Sequence, residues 1–447
     1  MAIGGVYMTD TDGNIGVERT NISEKVCGLL FDISAQSEFW TKGPAAAQAD
    51  NLKDTVVELN SLEDAVKLGI AKYTGEVEDG VSKDFLYGIP YYHIEHFFKL
   101  NGGSGRLYVM FADCTTNWNA LNQMQADAGG MINQFGIWTE QELWRETDAT
   151  AEKYALQIVD DVQLVAQQMA DETHAPATFI INANAAKVKV AGTGAGASDP
   201  NKVVFSKIPS CYNAEARYVA VALGQGLDTE VRAMQMALIS KTPVGNIGAI
   251  LGSLAMSNVA ESIGYVMNHN VGPYFPDIEF GFGDATVKGD ALTNSMRYSA
   301  LTQRQLDTLD DLGYIFLIKY AGLEGNVYFN GESTCSQGDY RTISRNRTIN
   351  KSRRGVRQAL LPYVNAPIKV DPATGQLSAA QITVFSNLVS DVLNLMVAAE
   401  EVSGIGAVTI PANQNILRND RLIMKYTLVP MGTAKTIEVT EGFVVSQ

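Results

Sequence analysis

Apolar runs alternate with amphipathic stretches along the first 115 residues of the chain. Continuous apolar runs predict three buried strands, at residues 26–33, 55–59 and 107–111. Apolar residues spaced three and four apart predict helices at 60–68 and 91–98. Asn60 is the expected N-cap of the first helix, Glu63 completes a capping-box spacing, and Gly69 is the expected stop. Strands that alternate with helices indicate an α/β layer.

The same kinds of pattern continue to about residue 330. They predict strands at 133–138, 178–181, 314–320 and 327–329, and helices at 151–170, 214–222, 230–239 and 304–312. Glycine, serine and asparagine interrupt the apolar segment 245–259, so we interpret it as a tightly packed buried helix rather than a membrane span. Residues 187–204 predict a hairpin or an exposed loop, because glycine and charged residues are frequent there.

The last 110 residues have a different order. A basic helical region at 343–364 ends near Pro362, and a long amphipathic helix follows at 377–399, with Gly404 as its expected stop. Three strands are predicted after it, at 407–410, 421–429 and 436–445.

Composition describes an ordinary globular chain that is long enough for two or three domains. The 447 residues are 46% hydrophobic and 19% charged. The net charge of −15 disfavours nucleic acid and anionic membranes as partners and suits a basic partner. The sequence shows no secretory signal and no uninterrupted apolar run of about 18 residues. We therefore expect folding in a cytoplasm and no direct membrane insertion.

The candidate chemical motifs are weak. Cys27, Cys114, Cys211 and Cys335 lie far apart without a C-x-x-C pair, which favours reduced structural thiols over disulfides or metal ligands. Residues 192–197 fit G-x-G-x-x-A, but a strand-like segment follows instead of a helix, so we interpret them as a surface loop. His93 and His96 have metal-ligand spacing on a helix, yet no third ligand is apparent, and we interpret them as surface or interface residues. No cofactor, metal or catalytic site is predicted.

A cluster of basic residues stands out in this acidic chain. Its seven members are Arg341, Arg345, Arg347, Lys351, Arg353, Arg354 and Arg357. Nucleic-acid binding, a solvated helix face, and contact with an acidic face of the same or another subunit are three alternatives; the missing aromatic residues and the overall charge disfavour the first. Two acidic sets are candidate partners for the third: Glu140, Glu142 and Glu146, or Asp160, Asp161, Asp171 and Glu172.

Two separate regions resemble one protein family. In the first, a helix ends in Phe97-Phe98, Asn-Gly-Gly follows, and a Tyr-Val strand begins near residue 107. In the second, Tyr340-Arg341-Thr342-Ile343 leads to Arg353-Arg354, then to the helix at 377–399. Asn419-Asp420-Arg421, a strand ending at Pro430, a small-residue linker and a terminal strand complete the order. Both regions resemble contractile tail sheath proteins, which occur in myovirus tails, R-type tailocins and related injection systems; residues 120–300 match only loosely.

The resemblance implies a fold, a function and a domain division. We expect a mixed α/β (α+β) subunit that is multi-domain, with a mixed-sheet-plus-helices core domain and extended N- and C-terminal strand arms. The divisions are 1–20 (N-terminal linking arm), 21–313 (N-terminal and outer α/β region, with about 120–300 as the variable outer part), 314–430 (C-terminal sheath core domain) and 431–447 (C-terminal linking arm). The resemblance also implies stacked six-fold rings around an inner tube, whose contraction drives the tube through a target envelope, with no enzyme activity.

Specific residues carry these expectations. The arms of sheath subunits add strands to sheets of neighbours, so the expected strand contacts are Val6, Tyr7, Ile437, Val439, Phe443 and Val444. Arg341, Arg345, Arg347, Arg353, Arg354 and Arg357 are the expected electrostatic interface. Reversing Arg353 or Arg354 to Glu should then weaken inter-ring or tube contacts more than it weakens the subunit.

Expected partners are further copies of the chain, the inner tail tube protein, and baseplate and tail terminator proteins. The expected location is a virion tail, or an extracellular or cytoplasmic contractile particle assembled in the bacterial cytoplasm. Another tail or baseplate component is the alternative within the structural class, and a cytoplasmic α/β enzyme is the alternative outside it.

Overall fold

The computed structural model describes most of the chain. The described residues are 24–33, 52–75, 77–78, 81–82, 85–103, 105–141, 143, 145–148, 153–182, 208–237, 243–280, 298–323 and 325–443. Within them the strands are β1 Val26–Asp32, β2 Val57–Leu59, β3 Val77–Glu78, β4 Val81–Ser82, β5 Arg106–Ala112, β6 Gln134–Thr139, β7 Arg145–Asp148, β8 Lys153–Ala155, β9 Thr178–Asn182, β10 Val219–Ala222, β11 Gln225–Gly226, β12 Ile278–Glu279, β13 Tyr314–Ile315, β14 Leu317–Ile318, β15 Tyr328–Phe329, β16 Val402–Ile405 and β17 Leu428–Pro430.

The helices fall between these strands. They are α1 Leu62–Lys67, α2 Phe85–Leu100, α3 Asn119–Asp127, α4 Gln157–Asp171, α5 Thr229–Ala237, α6 Ile247–Met256, α7 Gln303–Asp311, α8 Ile343–Leu360, α9 Ala379–Ala398 and α10 Ile416–Asn419. Short 3-10 helices occur at Cys211–Ala214, Tyr298–Ala300 and Leu361–Tyr363.

A seven-stranded mixed sheet organises the body of the subunit. Its strand order is β13-β10-β9-β6-β1-β5-β2, and only β2 runs antiparallel to its neighbour. One face packs against α3, α4 and α7, and the other packs against α1, α2, α5 and α6. Because both faces are covered, β1 is buried at every residue and reads as a continuous apolar run. The mixed α/β fold expected from the sequence is confirmed.

Helices α2 and α6 approach each other more closely than side chains would allow. A Cβ placed on Gly248 would lie 2.0 Å from the His93 carbonyl oxygen, and one on Gly252 would lie 2.8 Å from the Phe97 carbonyl oxygen. All of α6 up to Ala255 is buried. The predicted buried helix in 245–259 is therefore present, and its glycines allow the close contact.

The C-terminal part is a smaller layer beside this body. Helix α8 packs against α9, and the two-stranded antiparallel sheet β16–β17 covers them. Val356, Val389 and Leu393 form the centre of this second core, which together with an adjoining cluster around Phe385 has eight buried apolar residues in the described part.

Several local predictions need correction. The N-cap of α1 is Ser61, and its capping box is completed by Asp64, one position later than expected in each case. The helix expected at 214–222 is wrong, because Val219–Ala222 is a strand held between β9 and β13. Helix α4 begins at Gln157, since Lys153–Ala155 pairs with Arg145–Asp148 in a small sheet of its own.

Other corrections concern the C-terminal half. The strand expected at 314–320 is divided: Tyr314–Ile315 joins the main sheet, and Leu317–Ile318 pairs with β15. Gly404 lies within β16 and does not end α9; the chain leaves that helix through Glu400, whose φ is 55°. Strand β13 of the main sheet lies at Tyr314–Ile315, and the range 120–300 contributes three strands of that sheet.

We expect Gly248→Ala to lower the free energy of unfolding by roughly 3 kcal/mol, because the methyl group forces α2 and α6 apart. Urea denaturation of the subunit measures this change. Gly432→Ala is the matched control, since a Cβ there meets nothing within 4 Å and the expected change is below about 0.5 kcal/mol. Equal stability of the two variants would contradict the close contact.

Candidate assembly interface

The basic helix α8 buries much of its polar surface. Thr342 caps it by accepting a hydrogen bond from the Arg345 amide at 3.3 Å. Arg347 is only 1% exposed, and its guanidinium donates to the carbonyl oxygens of Ser257 and Asn258, at 3.4 and 3.3 Å. These two carbonyl groups lie directly after helix α6, which ends at Met256. Burial lowers the pKa of Arg347, while nearby Glu24 and Glu332 oppose that shift. Arg347 therefore acts inside the subunit.

Arg354 ties α8 to the beginning of the described chain. Its guanidinium forms an ion pair with Glu24, which lies two residues before β1. The same guanidinium donates to the Pro176 carbonyl oxygen at 2.9 Å. Both side chains of the pair are more than nine-tenths buried. Glu24 belongs to neither acidic set proposed from the sequence.

Lys351 ties the same helix to the C-terminal sheet. It forms an ion pair with Glu401, the residue before β16. Arg353 donates to the Tyr218 hydroxyl at 3.0 Å and so also contacts the body. Helix α8 thus connects the main sheet, the start of β1 and the start of β16 through charged side chains.

The remaining basic residues stay accessible. Arg341 and Arg357 are exposed, and Arg345 is half-buried with one contact to the Asp339 carbonyl oxygen at 3.4 Å. Of the six arginines expected at an interface, the structure places three within the subunit, at 347, 353 and 354. The guanidinium groups of the other three arginines are exposed or half-buried at the subunit surface.

Glu332 is a buried carboxyl group beside this helix. It accepts a hydrogen bond from the Ser344 hydroxyl, and its Oε2 has no hydrogen-bond partner among the described residues. Burial raises the pKa of Glu332 to about 7, and the Ser344 hydrogen bond and Arg347 limit the rise. The carboxyl therefore titrates in the neutral range.

The C-terminal segment leaves the subunit almost without contacts. Residues 431–443 are all exposed, and Ile437 and Val439 are each 81% exposed. Lys435 is held by Asp310, with its Nζ at 2.6 and 2.8 Å from the two carboxylate oxygens. Phe443 is fully exposed, whereas Val6, Tyr7 and Val444 lie outside the described residues. Their role as strand contacts stays a prediction.

Sheet β16–β17 has the features of an acceptor for such a segment. It contains two strands, so each strand has one edge without a partner strand in the described part. An additional bridge, Thr409 to Lys425, extends the pairing toward residue 421. Twelve of the nineteen exposed large apolar side chains of the described part lie within 361–443. The C-terminal core is therefore incomplete in the single subunit.

The sequence predicted a strand at 421–429 but not this acceptor role. The signal was the alternation of Leu422, Met424, Tyr426 and Leu428, which are half-buried, with exposed residues between them. That alternation indicates one covered face. The hydrophobic alternation does not show that this strand lacks a neighbouring strand on one side.

The other candidate motifs have structural roles or lie outside the described part. His93 and His96 are buried, which corrects the surface interpretation. The Gly248 amide donates to Nδ1 of His93, whose Nε2 lies 2.9 Å from the Val244 carbonyl oxygen; burial lowers the pKa of His93 to about 3. The four cysteines are buried free thiols. Residues 192–197 are outside the described part, and the described residues include no cluster of metal ligands.

One described helix, α9, is long and apolar enough to cross a membrane, although the sequence has no uninterrupted apolar run of about 18 residues. This is weak support for a span, because one face packs on α8 and the other exposes Asn387 and Asp391.

Two family profiles cover nearly all of the chain. The DUF2586 N-terminal domain matches residues 3–332, and the DUF2586 C-terminal domain matches residues 339–447. None of the curated proteins compared with the chain matches it.

Solved structures show the same fold. A chain of the six-fold symmetrised baseplate of the anti-feeding prophage (AFP) aligns with a TM-score of 0.55 and 13% identity, covering 100% of both chains. A chain of the contracted PVC sheath complex, an extracellular contractile injection system, aligns with a TM-score of 0.54 and 12% identity, covering 100% of this chain and 98% of the other. The resemblance to contractile sheath proteins is thus confirmed for the fold.

We expect the subunit to lose stability as the pH rises from about 4.5 toward 7, because the folded state keeps the Glu332 proton that the unfolded chain has released. The loss is on the order of 3 kcal/mol. Urea denaturation between pH 5 and 8 measures this profile of unfolding free energy against pH, and Glu332→Gln should flatten it. Glu63→Gln, an exposed carboxylate, should leave the profile unchanged.

The buried ion pair of Arg354 adds an expectation for the isolated subunit. Arg354→Glu should destabilise it by roughly 3 kcal/mol or more, because Glu24 would then face a like charge in a buried position. Thermal unfolding measures this, with exposed Arg357→Glu as the control. Equal melting of the two variants would contradict a structural role for the ion pair.

Proposed function

The chain belongs to the DUF2586 family, and we propose that it is the structural subunit of a contractile tail sheath. In this proposal, subunits polymerise as stacked six-fold rings around an inner tube, and contraction of the sheath drives the tube through a target envelope. The full-length likeness to chains of the AFP baseplate and the PVC sheath complex supports the fold on which this rests.

The exposed C-terminal segment is the observation that carries the proposal. Residues 436–443 are β-prone and extend into solvent, while Ile437, Val439 and Phe443 expose apolar side chains almost completely. Such a segment is an aggregation hazard unless another chain pairs with it. The open edges of β16–β17 offer that pairing, in which main-chain hydrogen bonds join neighbouring subunits.

The anchor at Lys435 defines where the C-terminal arm becomes free. We place the linking arms at 1–20 and 431–447, with the body in 21–313 and the core domain in 314–430, and residues after Lys435 as the donor strand. The twelve residues 436–447 would span roughly 40 Å when extended, a length suited to a strand that pairs with a neighbouring subunit.

Exposed arginines suit the remaining contacts. Arg341, Arg345 and Arg357 stay available for an acidic surface of the inner tube or of another ring. The baseplate and the tail terminator are the proposed partners at the two ends of the sheath. The particle is a virion tail, or an extracellular or cytoplasmic contractile particle, assembled in the bacterial cytoplasm. A baseplate component is the second candidate, because one matched chain comes from a baseplate.

Deletion of residues 437–447 or 1–12 should leave a folded subunit that no longer polymerises, because the donor strands are removed while both cores remain. Thermal unfolding tests folding, and negative-stain electron microscopy at high protein concentration tests assembly into striated tubes. If both truncated chains still formed tubes, linkage by the arms would be wrong.

A matched pair of variants separates strand pairing from simple loss of chain. Ile437→Ser with Val439→Ser should abolish tubes, since these side chains would enter the incomplete core of the neighbour. Thr436→Ser with Thr440→Ser, on the opposite face of the same strand, should assemble normally.

A further inference from the structure

The two strands of the acceptor sheet differ in charge. Residues 402–410, which contain β16, have no charged side chain. Residues 421–430, which end in β17, contain Arg421 and Lys425 and no acidic residue. Both basic side chains are exposed, and neither has an ion-pair partner among the described residues. The sheet therefore presents one neutral edge and one basic edge.

The C-terminal arm has the opposite charge to the basic edge. Residues 436–447 contain Glu438 and Glu441 and no basic residue. Both glutamates are exposed and have no ion-pair partner in the described part. The acidic arm thus matches the basic edge.

Backbone directions leave the outer edge of residues 421–430 open to an added strand. Lys425 exchanges both main-chain hydrogen bonds with Thr409, at 2.7 and 2.9 Å. Because hydrogen-bonding direction alternates along a strand, Met424 and Tyr426 direct their amides and carbonyls to the opposite edge. A strand added there has its own hydrogen-bonding partners without disturbing β16.

Side-chain alternation fixes which residues of the arm face the core. Met424 and Tyr426 lie at the rim of the C-terminal core, while Lys425 points away from it. In an added strand, Ile437 and Val439 would cover that rim, and Glu438 between them would lie on the same side as Lys425.

The arm of the same subunit is directed elsewhere. It leaves the sheet at Pro430, and only five residues later Lys435 is held by Asp310 at the end of α7, where Asn330 also donates to Asp310 at 2.6 Å. This anchor holds the arm against the main-sheet body. The occupant of that edge is then a second copy of the chain.

We propose that Glu438 of one subunit pairs with Lys425 of the next, so that charge assigns the C-terminal arm to the β17 edge. This assignment rests on the proposed sheath function. It makes Lys425 and Glu438 determinants of the edge with which the C-terminal arm pairs.

Charge reversal tests the pairing. Lys425→Glu should raise the protein concentration needed for tube assembly roughly fivefold, because two like charges would then lie side by side. Glu438→Lys should do the same, and the double exchange of Lys425→Glu with Glu438→Lys should restore assembly. Sedimentation across a concentration series measures the threshold.

Matched controls carry the same charge change at other places. Lys369→Glu lies exposed in the same domain, and Glu441→Lys lies on the other face of the same arm; both should leave the threshold within about twofold of the parent chain. If Lys425→Glu behaved like Lys369→Glu, or if the double exchange failed to restore assembly, the pairing would be overturned while the sheath function stood.

A direct contact measurement completes the test. Lys425→Cys combined with Glu438→Cys should give a ladder of covalent oligomers after copper-catalysed oxidation, and Lys369→Cys combined with Glu438→Cys should not. Tubes without a ladder would overturn the pairing alone. A parent chain that forms no tubes at high concentration, together with a double-cysteine variant that forms no ladder, would overturn both the pairing and self-assembly.

Discussion

Compensation of buried positive charge on helix α8 is the constraint on which the subunit architecture depends. A guanidinium removed from water is costly unless carboxylates or carbonyl oxygens surround it. Arg347 takes its oxygens from the end of α6, and Arg354 takes a carboxylate from Glu24. Each solution joins α8 to a different part of the chain, so the helix connects the two family domains at fixed positions.

The same constraint separates rigid parts from free ones. Glu24 lies two residues before β1 and Glu401 directly before β16, and both are paired with α8. The chain is thus held firmly where the first strand begins and where the acceptor sheet begins. After Pro430 the only described ion pair of the C-terminal segment is Lys435 with Asp310, a partly exposed contact. In the proposed sheath, the segment beyond it could follow a neighbour, while the sheet that would receive a neighbour's strand stays fixed.

Local patterns predicted the elements that are buried by their own sequence. The continuous apolar run of β1 and the glycine-interrupted helix α6 were both identified correctly. The prediction of a helix at 214–222 was wrong. The alanines of this segment favour a helix, whereas pairing between β9 and β13 makes Val219–Ala222 a strand. The ion pair between Arg354 and Glu24 joins residues 330 positions apart, and no local pattern contains that information. Sequence therefore indicated which residues were basic but not which of them the fold would bury.

The apolar surface that the C-terminal core leaves uncovered links the free C-terminal segment to the acceptor sheet β16–β17. In the described part, the C-terminal core buries eight apolar residues and leaves a larger number half-buried at its rim. Each strand that a neighbour adds would cover part of that rim, so stability of the C-terminal layer and assembly would draw on the same apolar surface. Subunits could then rotate about the linker after Pro430 while the added strands stayed paired. In the proposed sheath, contraction would change the angles between bodies and preserve the sheet that joins them, which is how a helical polymer can shorten without coming apart.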